Sequence, residues 1–376
     1  MREQKIIALL TNNDDDVYCF RKELIEALIA EGYEILISCP DGPKFELMQG
    51  IPYIYDNPDI DRRGTNPVKD FKLMIHYRKL FKQYHPAVVL AYTAKPNVYA
   101  SLAARQMGIP VINNLTGLGS VVKATGLMKK FIMWLFKKAY TKSACMMFQN
   151  AANMQVAIEQ GMVKGKYRLI PGSGVATDRF PLQPYPDGGD GKVGAPVVFN
   201  YIGRVMYDKG VDDYIEAAKR IKKKYPKTEF NMLGFIEPTE IHYEQDLKDL
   251  QDQGIIVYHG SLKDVKPYIA RAHATIHPST YGEGMSNVLL ESASSGRFLI
   301  TTNNPGCQET VEDNKTGYIY TGGSIDALVQ AIQRFLALPN SQRKLAGELG
   351  RERMVKHFSR QIVIDNYLEA IKECLK

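Results

Sequence analysis

Two glutamates eight positions apart, Glu283 and Glu291 in the stretch YGEGMSNVLLES, have the spacing to grip two parts of one ligand. Glu283 stands between Gly282 and Gly284, which permit a tight turn. Ser286 is placed as an N-cap, VLLESAS continues as one or two helical turns, and Gly296 ends them. A helix start preceded by glycines presents free backbone N–H groups and partial positive charge, which suits a phosphate. Glu291 then lies ~12 Å further along if the whole stretch is helical. Two such carboxylates can hold an extended ligand that carries phosphate in its middle. The plain alternative is a solvated turn glutamate and a paired surface glutamate. A second constellation, NYIGRVMYDKG (200–210), reads as a strand with Gly203 at its carboxyl end, followed by Arg204 and Lys209. Cations in that loop of a parallel sheet neutralise a diphosphate through charge-assisted hydrogen bonds.

Short apolar, β-branched runs alternate with amphipathic stretches throughout. KIIALL (5–10), YEILIS (33–38), AVVLA (87–91), PVIN (110–113), CMMF (145–148) and YRLI (167–170) read as buried strands. The rhythm restarts after the Pro/Gly-rich stretch PLQPYPDGGDGKVGAP (181–196), which reads as a linker. VVFNYIG, EFNMLG, IIVYHG, ATIH, FLITT and GYIY follow as a second strand series. The fold class is therefore α/β, with two Rossmann-like doubly wound parallel sheets whose facing halves make a cleft. The expected domains are 1–185 and 186–355, with a last helix over 356–376 crossing back to the first.

The length of 376 residues suits two such domains, and 45% hydrophobic with 24% charged residues reads as soluble and globular. No run approaches a transmembrane span, and the N-terminus MREQKIIALLTNN reads as a strand rather than a signal peptide. Five scattered cysteines without CxxC spacing read as reduced thiols of a cytoplasmic protein.

GRVMYDKG, EGMSNVLLE, PGCQETV and NKTGY together resemble the retaining glycosyltransferases of family four, of the two-domain GT-B fold. FRKELIEALIAEGYEI, KPNVYASLAARQMGIPVINNLTGLGS and PGSGVATDRF resemble the subgroup that builds capsule, O-antigen and related glycans on undecaprenyl-diphosphate carriers. The resemblance implies a hexosyltransferase moving sugar from a nucleotide donor, with UDP-hexose or UDP-N-acetylhexosamine favoured, to a lipid-linked saccharide with retention. It implies that Arg204 and Lys209 bind the donor diphosphate and that Glu283 contacts the transferred sugar. Gly203 and the backbone of Gly284, Met285, Ser286 and Asn287 would hold phosphate or sugar oxygens of the donor, and Glu291 would accept from the ribose hydroxyls. The base would stack near Gly234 and the segment 261–265. No cofactor or metal is required: the leaving phosphate takes the acceptor's proton while the two cations disperse its charge. Many relatives carry a histidine where this chain has Leu115 or Thr116, so no catalytic histidine is assigned; Thr116 and Gly117 remain as acceptor-side backbone. A nucleotide-sugar epimerase of the same architecture, or a basic membrane or nucleic-acid binding protein, are the competing readings. The absence of RNA-type stacking motifs argues against nucleic acid.

Two features invite other chemistry. The run NNDDDVY (12–18) resembles a metal-binding Asp-x-Asp, but after a first strand Asp16 reads as a helix cap or acceptor contact. His273 and His277, four apart around ATIH, read as packed or hydrogen-bonded rather than as ligands. Charge is distributed unevenly. Between Phe71 and Ile158 there is no Asp or Glu against twelve Lys and Arg, so of the net +7 the remaining chain carries −5. The segment 123–142 sets Leu127, Phe131, Trp134, Leu135 and Phe136 among Lys129, Lys130, Lys137, Lys138 and Lys142. It reads as an amphipathic helix for an anionic membrane interface, placing the protein peripherally on the inner face of the plasma membrane. The alternatives are a helix with Trp134 in the core, or lysines that only solvate their faces. Lys95 and Arg21 are the expected contacts to an acceptor phosphate.

Overall fold

The computed structural model describes residues 5–61, 64, 66–117 and 126–376. The chain forms two compact units, Met1–Gly174 with Arg360–Lys376, and Val175–Ser359.

The first unit holds a seven-stranded sheet: β1 Ile6–Leu10, β2 Glu34–Ser38, β3 Ile54–Asp56, β4 Val88–Tyr92, β5 Val111–Leu115, β6 Cys145–Phe148 and β7 Lys166–Leu169. Its order is β3-β2-β1-β4-β5-β6-β7 and every pairing is parallel. The second unit holds β8 Val197–Ile202, β9 Thr228–Leu233, β10 Val257–Tyr258, β11 Ala274–His277, β12 Phe298–Thr302 and β13 Gly317–Tyr320. Their order is β10-β9-β8-β11-β12-β13, again all parallel. Strands such as the continuously apolar VVLAY are buried at every position because helices cover both sheet faces. Each sheet reverses its winding once, between β1 and β4 and between β8 and β11. The carboxyl ends of those strand pairs are where doubly wound sheets receive ligands.

Almost every strand follows the apolar runs of the sequence. The exception is β3, three half-exposed residues at a sheet edge, too short and too polar to leave a periodic signal. The helical tail is split into Asn340–His357 and Arg360–Cys374, and the latter packs on the helix Asp14–Ala30 within the first unit. There Arg360 donates to Glu23 at 2.8 Å and to the carbonyls of Cys19 and Gly174 at 3.2 Å.

The chain enters its second unit at Val175 and leaves it after Ser359, rather than at 185/186 and 355/356. The stretch 181–196 is not a free linker, because buried arginines of the second unit hold its carbonyls. Arg297 donates to Gln183 and Pro184 at 2.9 and 2.8 Å, and Arg343 to Gly189 at 3.0 Å. The Tyr185 hydroxyl donates to the carbonyl of His273 at 2.7 Å. Both arginines bond carbonyls only, and burial pulls Arg297 down to about 10.

Candidate functional site

The second sheet's reversal point gathers the expected donor residues. After β8 the chain turns at Gly203, and after β9 at Gly234; both have left-handed φ, 157° and 146°. A Cβ on Gly234 would lie 1.8 Å from the carbonyl oxygen of Gly203, so the two loops approach as only glycine allows. Backbone bonds from Val205 N–H to Phe235 O and from Glu237 N–H to Val205 O zip them together. This pairing carries the buried carboxylate of Glu237 to Arg204, whose Nη1 donates to it at 3.2 Å.

Lys209 ends the same loop and forms an ion pair with Glu283, which follows β11. Ser279 Oγ donates to Glu283 at 3.2 Å, and His277 Nε2 lies 3.7 Å from the same carboxylate. Burial alone would push Glu283 up, but the Lys209 ammonium and His277 outweigh it and hold the carboxyl well below its usual range. The Tyr281 ring lies 5.5 Å from the Arg204 guanidinium and 5.1 Å from the Lys209 ammonium, so one aromatic ring neighbours both cations. Each cation thus has its own buried carboxylate, supplied by a different strand end.

The helix Asn287–Ser294 starts beside this cluster and Gly296, at φ 77°, follows its end. Ser286 occupies the N-cap position, but its hydroxyl makes no capping bond; it sits 3.2 Å from His277 Nε2. Its N–H donates to Gly306 O at 2.8 Å, so the Ser286 amide is not open to a phosphate as expected. Met285 packs with Leu289, Leu290 and Cys307 in the core, which leaves only its backbone for a ligand. Gly284 is buried, while Asn287 and Glu291 are half-buried, Glu291 one turn further along the helix. His277, Ser279, Tyr281 and Glu237 were not singled out for this site from the sequence. The sequence reads His277 only as packed or hydrogen-bonded, and nothing local links Glu237 to an arginine thirty-three residues earlier.

In the first unit the expected acceptor residues diverge. The helix Asp14–Ala30 is capped by Asn13, which accepts from the Asp16 N–H at 2.9 Å; Asp16 is therefore not the cap. Its carboxylate accepts the Thr11 hydroxyl at 2.6 Å, and Asp14 accepts the Lys44 N–H at 2.8 Å. Three aspartates in a first turn complement the helix dipole. Among the described residues no cluster of three potential metal ligands occurs. Arg21, the second expected phosphate contact, is 1% exposed, donates to Phe20 O and Ser173 Oγ, and stacks 4.1 Å from the Tyr92 ring, so its guanidinium is buried in the first unit. Lys95 lies in the first turn of the helix Ala94–Arg105 rather than in a loop, and pairs with Asp70 at 2.7 Å. Asp70 sits one residue before the acid-free stretch, so Lys95 is neutralised by a residue distant in sequence. Leu115 packs with Val98, Phe136 and Phe148, whereas Thr116 and Gly117 are half-buried beyond β5. The rest of the TGLG loop lies outside the described residues.

The basic helix spans Gly126–Tyr140. Phe136, Ala139 and Tyr140 face the core, while Phe131 and Trp134 are 57% and 53% exposed and stack with centroids 6.1 Å apart. Trp134 is therefore not the core residue of the alternative reading. Lys138 reaches within 5.9 Å of its ring. Residues 123–125 and the side chains of Leu127 and Lys129 lie outside the described residues. Among the described residues no helix is long and apolar enough to cross a membrane.

Residues 190–353 match the family "Glycosyl transferases group 1", and residues 6–150 match "Glycosyl transferase 4-like". The chain is 25% identical to the capsular polysaccharide biosynthesis glycosyltransferase CapM of Staphylococcus aureus, over 96% of this chain and 95% of that one. It is 24% identical to an Escherichia coli UDP-Gal:alpha-D-GlcNAc-diphosphoundecaprenol alpha-1,3-galactosyltransferase, over 82% and 81% of the two chains. Anabaena Alr3699/HepE, solved with UDP and glucose, superposes with a TM-score of 0.78 at 16% identity, covering 98% of this chain and 100% of that one.

Proposed function

Because this chain belongs to the GT-B glycosyltransferases of the group 1, 4-like kind and is a hexosyltransferase, we propose that it transfers a hexose or N-acetylhexosamine from a UDP-sugar to a lipid-diphosphate-linked saccharide, with retention, in the assembly of a bacterial surface polysaccharide. The observation that carries this reading is the meeting of Arg204, Lys209 and Glu283 beside an uncapped helix start at the β8/β11 reversal. Cations and free amides there match a diphosphate, and a carboxylate beside them matches sugar hydroxyls. In this reading Arg204 and Lys209 take the diphosphate, Gly203, Gly284 and Asn287 offer backbone, Glu283 holds the sugar and Glu291 the ribose. The acceptor hydroxyl oxygen bonds the anomeric carbon as the bond to the diphosphate oxygen breaks. The hydroxyl proton passes to that departing oxygen, whose charge the two cations disperse. UDP is supported by HepE, solved with UDP, and the lipid-diphosphate acceptor by the E. coli relative's name. The acid-free stretch and the exposed Phe131 and Trp134 support docking of this face on an anionic membrane, where such an acceptor resides. Thr116 and Gly117 are the acceptor-side backbone; Lys95 serves only if it parts from Asp70.

The test is a panel of nucleotide sugars with an undecaprenyl-diphosphate-sugar acceptor, scored by mass shift and by the anomeric configuration of the product. One UDP-sugar should add one hexose or N-acetylhexosamine with its configuration kept. Inversion, or preference for another nucleotide, would refute the corresponding part of the reading. Glu291→Ala should raise donor KM, whereas Lys209→Ala should chiefly lower kcat.

A further inference from the structure

We infer that His277 is a positioning residue that aims the Ser286 hydroxyl at the diphosphate of the donor; this rests on the donor site proposed above. Serine before a helix ordinarily accepts from the N–H groups of the first turn. Ser286 gives that bond up, and its Oγ faces His277 Nε2 at 3.2 Å instead.

The histidine's surroundings decide the direction of this bond. His277 is buried at the end of β11, and its Nδ1 meets no hydrogen-bond partner. A buried N–H without an acceptor is the rarer and costlier defect, so the ring proton belongs on Nε2 and the bare lone pair on Nδ1. Nε2 then donates to Ser286 Oγ, with the Glu283 carboxylate 3.7 Å away on the same side. Burial lowers the proton affinity of the ring and keeps it neutral, in keeping with a single N–H.

Two consequences converge on the helix start. Ser286 Oγ accepts from His277, so its own proton is left to donate to an oxygen seated there. The first-turn N–H groups of the helix Asn287–Ser294, uncapped by that serine, remain open to the same oxygen. The histidine thus converts a capping residue into a ligand-facing donor while leaning on Glu283, the carboxylate paired with Lys209.

Titration calorimetry with UDP on the full chain tests this, with melting temperatures recorded for every variant. His277→Leu and Ser286→Ala should each weaken UDP binding about tenfold, the worth of one hydrogen bond to a charged group. Both act through one hydroxyl, so the double variant should bind within about twofold of either single. His277→Gln supplies an N–H at nearly the Nε2 position and should bind within about threefold of the wild type. If His277→Leu melts lower yet binds UDP like the wild type, or if the double variant multiplies the single losses, the inference is overturned. If the wild type itself does not bind UDP, the donor-site reading falls and this inference with it.

Discussion

Lys209→Met removes the counter-ion of a carboxylate that is 87% buried, since the Lys209 and Glu283 side chains are only 12% and 13% exposed. Breaking a buried ion pair from one side costs about 3–5 kcal/mol, because the remaining charge is stranded. Here Ser279 and His277 still face Glu283, so the expected loss is smaller, about 2–3 kcal/mol. For a unit of this size that lowers Tm by roughly 5–10 °C. The pH dependence has a definite sign. In the wild type the folded-state affinity of Glu283 for a proton is depressed, so its stabilisation is full at neutral pH. It is lost only as pH falls through that depressed value. Without Lys209, burial dominates and the affinity rises above the unfolded value. The deficit of Lys209→Met is then largest at pH 7 and shrinks as pH falls through the raised value. Glu283→Gln on the Lys209→Met background removes the stranded charge and should recover at least half of the loss. The assay is thermal unfolding of the single and double variants between pH 7 and pH 5. A Lys209→Met deficit under about 0.5 kcal/mol, a deficit that grows toward pH 5, or strict additivity of the pair would each refute this electrostatic account.

Three further outcomes are expected. His273 Nδ1 accepts the Val198 N–H at 3.0 Å and burial lowers the ring to about 4, so protonation breaks a bond to the backbone of β8. The unfolded chain binds that proton first, so stability should fall as pH drops from 6.5 towards 4, by up to about 3 kcal/mol; His273→Gln should flatten that slope in urea titrations. Arg297→Met strands the carbonyls of Gln183 and Pro184 and should lower stability by about 3 kcal/mol, with Arg297→Lys no better, since one ammonium cannot span the acceptors of a planar fork. Trp134 is the only tryptophan, so its emission should shift to the blue with anionic vesicles and not with neutral ones; Phe131→Ala should weaken that binding several-fold, and salt should weaken it too.

Local pattern alone determined most of the scaffold. Apolar runs marked twelve of the thirteen strands among the described residues, and alternation with amphipathic stretches marked both sheets as parallel. The turn of YGEGMSNVLLES marked where the helix Asn287–Ser294 begins. These features depend on neighbours in the chain, which is why their residue types reveal them. The tertiary structure decided how charges are shared. Arg204 meets Glu237, Lys209 meets Glu283 and Lys95 meets Asp70 across separations of 33, 74 and 25 residues, because parallel strands bring the loops and helix starts at one end of a sheet together. Arg21 and Ser173 are 152 residues apart and share a buried bond, so burial of this basic residue could not be read from its neighbours in the chain. Composition counts charges; which of them remain open to a ligand depends on what lies within a few ångströms after folding, where pairing and desolvation outweigh residue type.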